Sequence, residues 1–176
     1  HRNMSQKNYL LDFLNIIGSI YLKQGKFKQA LEHFNLVFDL DPEKKFSRRH
    51  ADTYTHLTSL YTTQNNWILA QECMEKALLY ARDIHDDFRL SKILMVAGIC
   101  NKTQKQYDKA IPLFEEVVSI CQKNEYSKRT SSAVYELAAC YDKIGNRKEF
   151  SRWAEEFYRL QRTIGWKMEE TFYVIF

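Results

Sequence analysis

The cysteines, histidines and paired acidic residues of this chain are the side chains best suited to chemistry, and the cysteines come first. They are widely separated, form no C-x-x-C pair and have no histidine cluster nearby: Cys73, Cys100, Cys121 and Cys140. Zinc sites and dithiol redox centres need close spacing, because their ligands must converge on one point. We therefore expect four small buried residues, no metal and no cofactor.

The histidines and acidic pairs are equally dispersed. Glu115-Glu116 and Glu155-Glu156 lie on predicted helices, where neighbouring acids usually mark a solvated face. The motifs G-x-x-x-x-G-K, H-E-x-x-H and G-x-S-x-G are absent, and five glycines are too few for a phosphate cradle. The histidines fall on different helices or at junctions: His33, His50, His56 and His85. The sequence therefore predicts a protein that is not an enzyme.

One basic segment, Lys44 to His50, holds four lysines or arginines in seven residues. It offers contact with an acidic partner or with DNA phosphate, or it is an exposed connection whose last part begins a helix. Elsewhere basic and acidic residues are interspersed, and the net charge is only +4. We expect no direct binding of nucleic acid.

The elements that carry these residues are predicted to be helices. Two prolines and five glycines leave few interruptions in 176 residues, and apolar residues recur every three or four positions, which predicts an all-α protein. No segment approaches the roughly 20 apolar residues of a membrane helix, and the first residues do not resemble a signal peptide, so we expect a cytoplasmic protein. His1 stands where an initiator methionine is expected, which indicates part of a longer protein.

A repeat with a spacing of 40 residues organises these helices. Four series of positions recur in register: Ala30, Ala70, Ala110 and Phe150; Gly18, Thr58, Gly98 and Ala138; Phe34, Met74, Phe114 and Ala154; Tyr21, Tyr61, Asn101 and Tyr141. Short polar connections at 24–26, 64–66, 104–106 and 144–146 predict four antiparallel helical hairpins.

The pattern resembles the tetratricopeptide repeat, which combines a bulky residue, Leu-Gly-x2-Tyr, Ala-x3-Phe and a terminal proline. Asn101 and Phe150 depart from it. The first unit matches at Leu14, Ile17, Gly18, Tyr21, Ala30, Phe34, Val37 and Pro42. The resemblance implies one domain over residues 1–176, an all-α right-handed superhelix (α-solenoid). Its four repeats would span about 8–46, 47–86, 87–126 and 127–162, with a C-terminal capping segment at 163–176.

The unit is longer than the standard repeat of about 34 residues. Long units of this kind resemble those of the peptide-sensing regulators of Gram-positive bacteria, the Rap, NprR and PlcR group. That resemblance implies a superhelix that binds a short secreted peptide in quorum sensing. It also implies an N-terminal output domain that binds DNA or acts on a response regulator.

In stacked hairpins the first helix of each unit lines the inner face, where we expect the ligand. The predicted groove has hydrogen-bonding residues for a peptide backbone (Asn15, Thr55, Tyr135), cations for a carboxylate (Lys92, Lys102), apolar residues (Met95, Ile99) and further polar residues (Asp12, Ser19, His56, Ser59, Asp142). The alternative is an ordinary solvated inner face.

Tetratricopeptide domains that bind chaperone tails resemble this fold and clamp a terminal carboxylate with lysine, asparagine and arginine. Their clamp positions correspond here to Asn15, Ser19, His56, Lys92 and Val96. Only the lysine of the third repeat is kept in kind, so the sequence argues against this clamp.

The last six residues, Thr171 to Phe176, are strongly apolar and need cover. They are predicted to cap the last hairpin, to form a dimer contact, or to mark a cut chain. The leading hypothesis is a module that binds a peptide or protein partner, the sensor of a bacterial regulator. The rival is a scaffold or oligomerisation module that recruits proteins through its convex face and its tail.

Overall fold

The computed structural model describes the backbone of residues 2–173 and the side chains of residues 3–163. Within that range the chain is helical throughout, which confirms the all-α prediction. The helices are α1 (Arg2–Lys23), α2 (Phe27–Leu40), α3 (Ser47–Thr63), α4 (Trp67–Asp83), α5 (Asp87–Thr103), α6 (Tyr107–Lys123), α7 (Ser127–Lys143) and α8 (Arg147–Tyr173). None of these helices is both long and apolar enough to cross a membrane.

The predicted limits of the array differ from the observed helices at both ends. α1 begins at Arg2, before the predicted start at residue 8, and α8 continues through Gly165 to Tyr173, past the predicted end of the fourth repeat at residue 162. A single glycine costs a helix only about 1 kcal/mol, and no proline follows to stop it. The apolar segment Thr171–Phe176 lies outside the described side chains, so its role stays a prediction.

Two compact units divide the chain, residues 1–96 and residues 97–176, and α5 contributes to both. In the first unit, Ala30, Phe34, Leu57, Leu60 and Cys73 form a buried cluster between the first two hairpins. In the second unit, α6 packs on α7 and α7 on α8. The four cysteines are free and buried, as predicted.

Each hairpin turns at one residue with a left-handed backbone. In order these are Gly25 (φ 72°), Asn65 (φ 56°), Lys105 (φ 60°) and Gly145 (φ 75°). Around Lys105, its amide donates to the carbonyl of Lys102 (2.9 Å) and the amide of Gln106 to that of Asn101 (2.9 Å). This pair of bonds is the Schellman motif, which satisfies the last carbonyls of the first helix. The same two bonds recur at all four turns.

Small residues on the first helix face an aromatic ring on the second. A Cβ added to Gly18 would lie 2.4 Å from the Phe34 ring, and one added to Gly98 would lie 2.4 Å from the Phe114 ring. In the other two hairpins the glycine is replaced by a larger residue and the phenylalanine by a smaller one. The corresponding pairs are Thr58 with Met74 and Ala138 with Ala154. The volume at this contact is therefore shared between two positions 16 residues apart.

The link between the first two hairpins is held by a buried carboxylate. Asp41 is 1% exposed, and its Oδ2 accepts hydrogen bonds from the Phe46 amide and from His50 Nε2, both at 2.9 Å. Burial alone would raise the pKa of Asp41, but these hydrogen bonds outweigh it and lower that pKa. The basic segment is therefore a connection in its first half, with Lys44 and Lys45 exposed, and joins α3 in its second.

We predict that Lys105→Gly raises the free energy of unfolding by about 0.5–1 kcal/mol, because glycine adopts the left-handed backbone without steric cost. Urea denaturation measures the change. Lys109→Gly is the matched control, since Lys109 lies in α6 and glycine there should destabilise by up to about 1 kcal/mol. Equal effects of the two substitutions would contradict the role of the turn.

We also predict that Gly98→Ala destabilises the protein by about 1–3 kcal/mol, because the new methyl group collides with the Phe114 ring. Phe114→Leu should be costly alone but less costly in the Gly98→Ala background. A double-mutant cycle by thermal or urea unfolding measures the coupling. Additive effects would show that the two positions do not share volume.

Candidate functional site

The predicted groove residues all lie on the first helices of the hairpins, α1, α3, α5 and α7. They divide between the two units and are described unit by unit. The first unit contains Asp12, Asn15, Ser19, Thr55, His56, Ser59, Lys92 and Met95; the second contains Ile99, Lys102, Tyr135 and Asp142.

In the first unit, an alternating series of acids and arginines crosses the first helices. Arg49 Nη1 lies 2.6 Å from Asp12 Oδ1 and 3.9 Å from Asp52 Oδ2. Arg89 Nη2 lies 2.9 Å from the same Asp52 oxygen, and its Nη1 lies 2.8 Å from Asp86 Oδ2. Burial would lower the pKa of Arg89, but these carboxylates raise it. Asp12 is therefore a partner of Arg49 and part of the packing between hairpins.

Arg49 and Arg89 were not among the predicted site residues, although their spacing in the sequence could have indicated their contacts. Arg49 and Arg89 are 40 residues apart and occupy the same position of successive units, as does Arg129. The acids that they contact, Asp12 and Asp52, are also 40 residues apart. A repeated charge pair of opposite sign indicates a contact between neighbouring units.

Asn15 and Thr55 correct the expectation that they bind a peptide backbone. Asn15 is 3% exposed; its Nδ2 donates to the Arg49 carbonyl (3.1 Å) and its Oδ1 accepts from Thr53 Oγ1 (2.8 Å). Thr55 is 4% exposed and donates to the Ala51 carbonyl (2.7 Å). The Asn15 position faces the first helix of the next hairpin, so its amide is used in joining α1 to α3.

Ser19 and Ser59, which were predicted on the same face, are less buried than Asn15 and Thr55 and can form further hydrogen bonds. Ser19 Oγ donates to the Ile16 carbonyl (2.8 Å) and Ser59 Oγ to the Thr55 carbonyl (3.3 Å). Both side chains are half-buried, and each hydroxyl oxygen can still accept a hydrogen bond.

His56 and Lys92 are brought together beside these serines. The His56 ring stacks on Phe34 with centroids 5.5 Å apart, and its Nε2 lies 3.5 Å from Lys92 Nζ. Burial, aided by the charges of Lys92 and Lys23, lowers the pKa of His56 to about 3. His56 is therefore a neutral acceptor at neutral pH. Lys92 also lies 3.8 Å from Asp52 Oδ1, and Met95 is half-buried one turn further along α5.

In the second unit, Tyr135 and Phe157 separate two open cavities, with ring centroids 5.6 Å apart at 53°. The first cavity, about 410 Å³, exposes polar and apolar surface in nearly equal parts and is lined by Lys128, Ser131, Ser132, Tyr135, Glu136, Phe157 and Gln161. The second, about 370 Å³, is mostly apolar and is lined by Tyr135, Ala138, Ala139, Asp142, Phe150, Ala154 and Phe157. Of the predicted residues, Tyr135 lines both cavities and Asp142 lines the second.

The other two predicted residues of this unit behave differently. Lys102 forms a short ion pair with Glu136, so its charge is already matched, contrary to the expectation that it meets a ligand carboxylate. Ile99 is 36% exposed and lines neither of the two cavities. The prediction missed Phe157 and Gln161, because they lie on α8, a second helix. The sequence held one signal that α8 differs from the other second helices: Phe150 stands where they have alanine, and it lines the second cavity.

The described residues offer little for covalent or metal chemistry. Burial raises the pKa of the Cys73 and Cys140 thiols to about 11, so thiolate nucleophiles are not formed there near neutral pH. Within residues 3–163, no group of three or more His, Cys, Asp or Glu side chains is arranged to hold a metal ion.

Comparison with known proteins agrees with this geometry. A curated relative, response regulator aspartate phosphatase A of Bacillus subtilis (strain 168), is 28% identical over 133 residues, 74% of this chain and 32% of the relative. The chain therefore spans about a third of that protein.

Two solved structures share the fold at low identity. Aspartyl phosphate phosphatase F of Bacillus subtilis matches with a TM-score of 0.84 and 14% identity, over 90% of this chain and 42% of that one. A Rap protein complexed with Competence and Sporulation Factor matches with a TM-score of 0.81 and 16% identity, over 87% and 43%.

Family models identify the repeats directly. Two tetratricopeptide-repeat models match, one over residues 11–44 and one over residues 49–123. Together the matched segments cover more than half of the chain, and the observed hairpins follow the same register. The chain therefore belongs to the tetratricopeptide-repeat proteins.

Proposed function

We propose that this chain is a peptide-binding module, the signal-sensing part of a bacterial regulator similar to the response regulator aspartate phosphatases. The observation that carries the proposal is the pair of open cavities on either side of Tyr135 and Phe157. The solved Rap protein bound to Competence and Sporulation Factor supports it, because that relative of the same fold holds a signalling factor.

The chemistry of the two cavities suits an extended peptide. Lys128, Ser132 and Gln161 give the first cavity donors and acceptors for a peptide backbone. The second is walled by Phe150, Ala154 and other apolar side chains, with Asp142 at its edge. An apolar side chain next to a positive charge, such as a basic residue or a free amino terminus, would match it. Tyr135 is 55% exposed and serves both cavities.

We propose binding, and not catalysis, as the activity of these residues. The curated relative is named as a phosphatase, but this chain spans only about a third of it. Burial raises the pKa of the Cys73 and Cys140 thiols, and the carboxylates of Asp12 and Asp52 are engaged with arginines. An assay showing turnover of a phosphorylated response regulator by this chain alone would contradict this part of the proposal.

The first prediction concerns Tyr135. A library of short linear peptides should contain members that raise the melting temperature of the protein, because a ligand specific to the folded state stabilises it. Tyr135→Ala should weaken those peptides at least about tenfold, the loss typical of a central aromatic contact. Isothermal titration calorimetry measures the affinity.

Tyr158→Ala is the matched control, because Tyr158 is 65% exposed and lines neither of the two cavities. Its affinity for the peptides should be unchanged. If no peptide shifts the melting temperature, or if both tyrosine variants bind equally well, the site is not the one proposed.

The second prediction concerns His56. Its folded pKa, about 3, lies below the unfolded value near 6.5, so the unfolded chain takes up a proton first as the pH falls. The free energy of unfolding should therefore decrease between about pH 6.5 and pH 3. His56→Gln should make this decrease shallower, as measured by urea denaturation at pH 7 and pH 4.5. His85→Gln, at an exposed turn position, is the control; identical pH slopes in the wild type and His56→Gln would contradict the assignment.

A further inference from the structure

A cleft between α6 and α8 is separate from the two cavities around Tyr135. Its volume is about 510 Å³, within the range of sites that hold small organic ligands. Its lining residues all belong to the second unit, so both walls of the cleft lie in one compact part of the chain. They are Val118, Gln122, Arg152, Trp153, Glu155, Glu156 and Arg159.

Trp153 lies on the side of α8 that faces the preceding hairpin. Cys73 holds the same position of α4, two hairpins earlier, and it packs in one buried cluster with Ala30 and Phe34 of the hairpin before it. The other second helices carry histidine, cysteine or leucine at this position. The indole is therefore particular to the fourth hairpin, and the cleft beside it is bounded by two successive second helices.

The indole nitrogen of Trp153 is a hydrogen-bond donor without an acceptor. This Nε1 is buried and donates to no group within the described part of the chain. Buried polar groups in folded proteins are almost always paired, because an unpaired group has lost its water without compensation. An unpaired donor beside an open cleft therefore indicates a ligand that supplies the acceptor.

Two arginines bring positive charge to the same cleft. The guanidinium of Arg152 lies over the Trp153 ring, 4.9 Å from its centroid, and its Nη1 donates to Glu149 at 3.1 Å. The Arg152 side chain is 67% exposed, and exposed ion pairs add little stability, so this guanidinium can turn from its glutamate to an incoming anion. Arg159 donates to both carboxylate oxygens of Glu156, at 2.8 and 2.6 Å, and matches the charge of that acid.

An organic carboxylate fits these groups better than a cation or a neutral ligand. A carboxylate accepts hydrogen bonds from an indole N–H and from a guanidinium at the same time. The buried Val118 and the Trp153 ring supply apolar surface for the rest of the ligand, and Gln122 adds an amide from α6. Glu155 is exposed among the lining residues and would oppose an anion, which gives the charge of the ligand a direct test.

We propose that the cleft between α6 and α8 binds a carboxylate carried on an apolar group, with Trp153 Nε1 and Arg152 as its donors. Arg152 turns away from the indole as the ligand enters, which opens the way to the buried nitrogen. A free organic acid and an acidic side chain of a partner protein present this same chemistry. The site shares no residue with the cavities around Tyr135, so either proposal can fail without the other.

Nuclear magnetic resonance of the indole N–H groups tests the site, and Trp153→Phe identifies the Trp153 signal by its loss. We expect 3-phenylpropanoate, at millimolar concentration, to move the Trp153 signal until it saturates and to leave the Trp67 signal in place. The neutral 3-phenylpropanamide should bind at least about tenfold more weakly, because it lacks the charge that Arg152 recognises. A second arm uses the capped dipeptide acetyl-phenylalanyl-glutamyl amide. The tighter of the two acids shows whether a free acid or an acidic side chain suits the cleft.

Two substitutions should change the affinity for 3-phenylpropanoate in opposite directions. Arg152→Gln should weaken it about fivefold, whereas Glu155→Gln should strengthen it about twofold, because an opposing charge is removed. Arg162→Gln is the matched control: Arg162 is exposed on the same helix and does not line the cleft, so its affinity should equal that of the wild type. The proposal is overturned if neither acid moves the Trp153 signal, if the amide binds as tightly as the acid, or if Arg152→Gln binds like the wild type.

Discussion

The left-handed residue at the end of each first helix is the constraint on which the rest of this structure depends. It reverses the chain within three residues and closes two backbone hydrogen bonds at each turn. The second helix then has one available direction, back along the first. Because the turns at Gly25, Asn65, Lys105 and Gly145 are 40 residues apart, every side chain in one hairpin has a counterpart at the same place in the next.

That regularity explains why the fold was predictable from the sequence. Small and large residues recur at fixed spacing because each pair fills one shared volume, as Gly98 and Phe114 do. Such a pattern can be recognised in the sequence alone. The ends of the array were less predictable, because nothing repeats there. The backbone of α8 continues through Gly165, so the repeat pattern did not indicate where this helix ends.

The binding residues were harder to predict than the fold. The repeat pattern identifies which helix faces a ligand but not how neighbouring first helices share that face. Asn15 was assigned to a ligand, yet its amide joins α1 to α3, and Lys102 is matched by Glu136. Both outcomes depend on groups 34 or 38 residues away, close to one full unit. Tyr135 and Asp142 line open cavities, and their role in binding stays a prediction, whereas Phe157 required knowledge of how α8 lies against α7.

The series of acids and arginines on the first helices has a consequence for how such an array grows. Arg49 and Arg89 each contact an acid of the hairpin before, Asp12 and Asp52 respectively. A duplicated unit with Asp and Arg at these positions would bring its own matching surface, so an extra copy could be inserted in tandem without any new interface. Only the second unit carries both the arginine and the acid, because the first has Tyr9 at the arginine position and the third has Lys92 at the acid position.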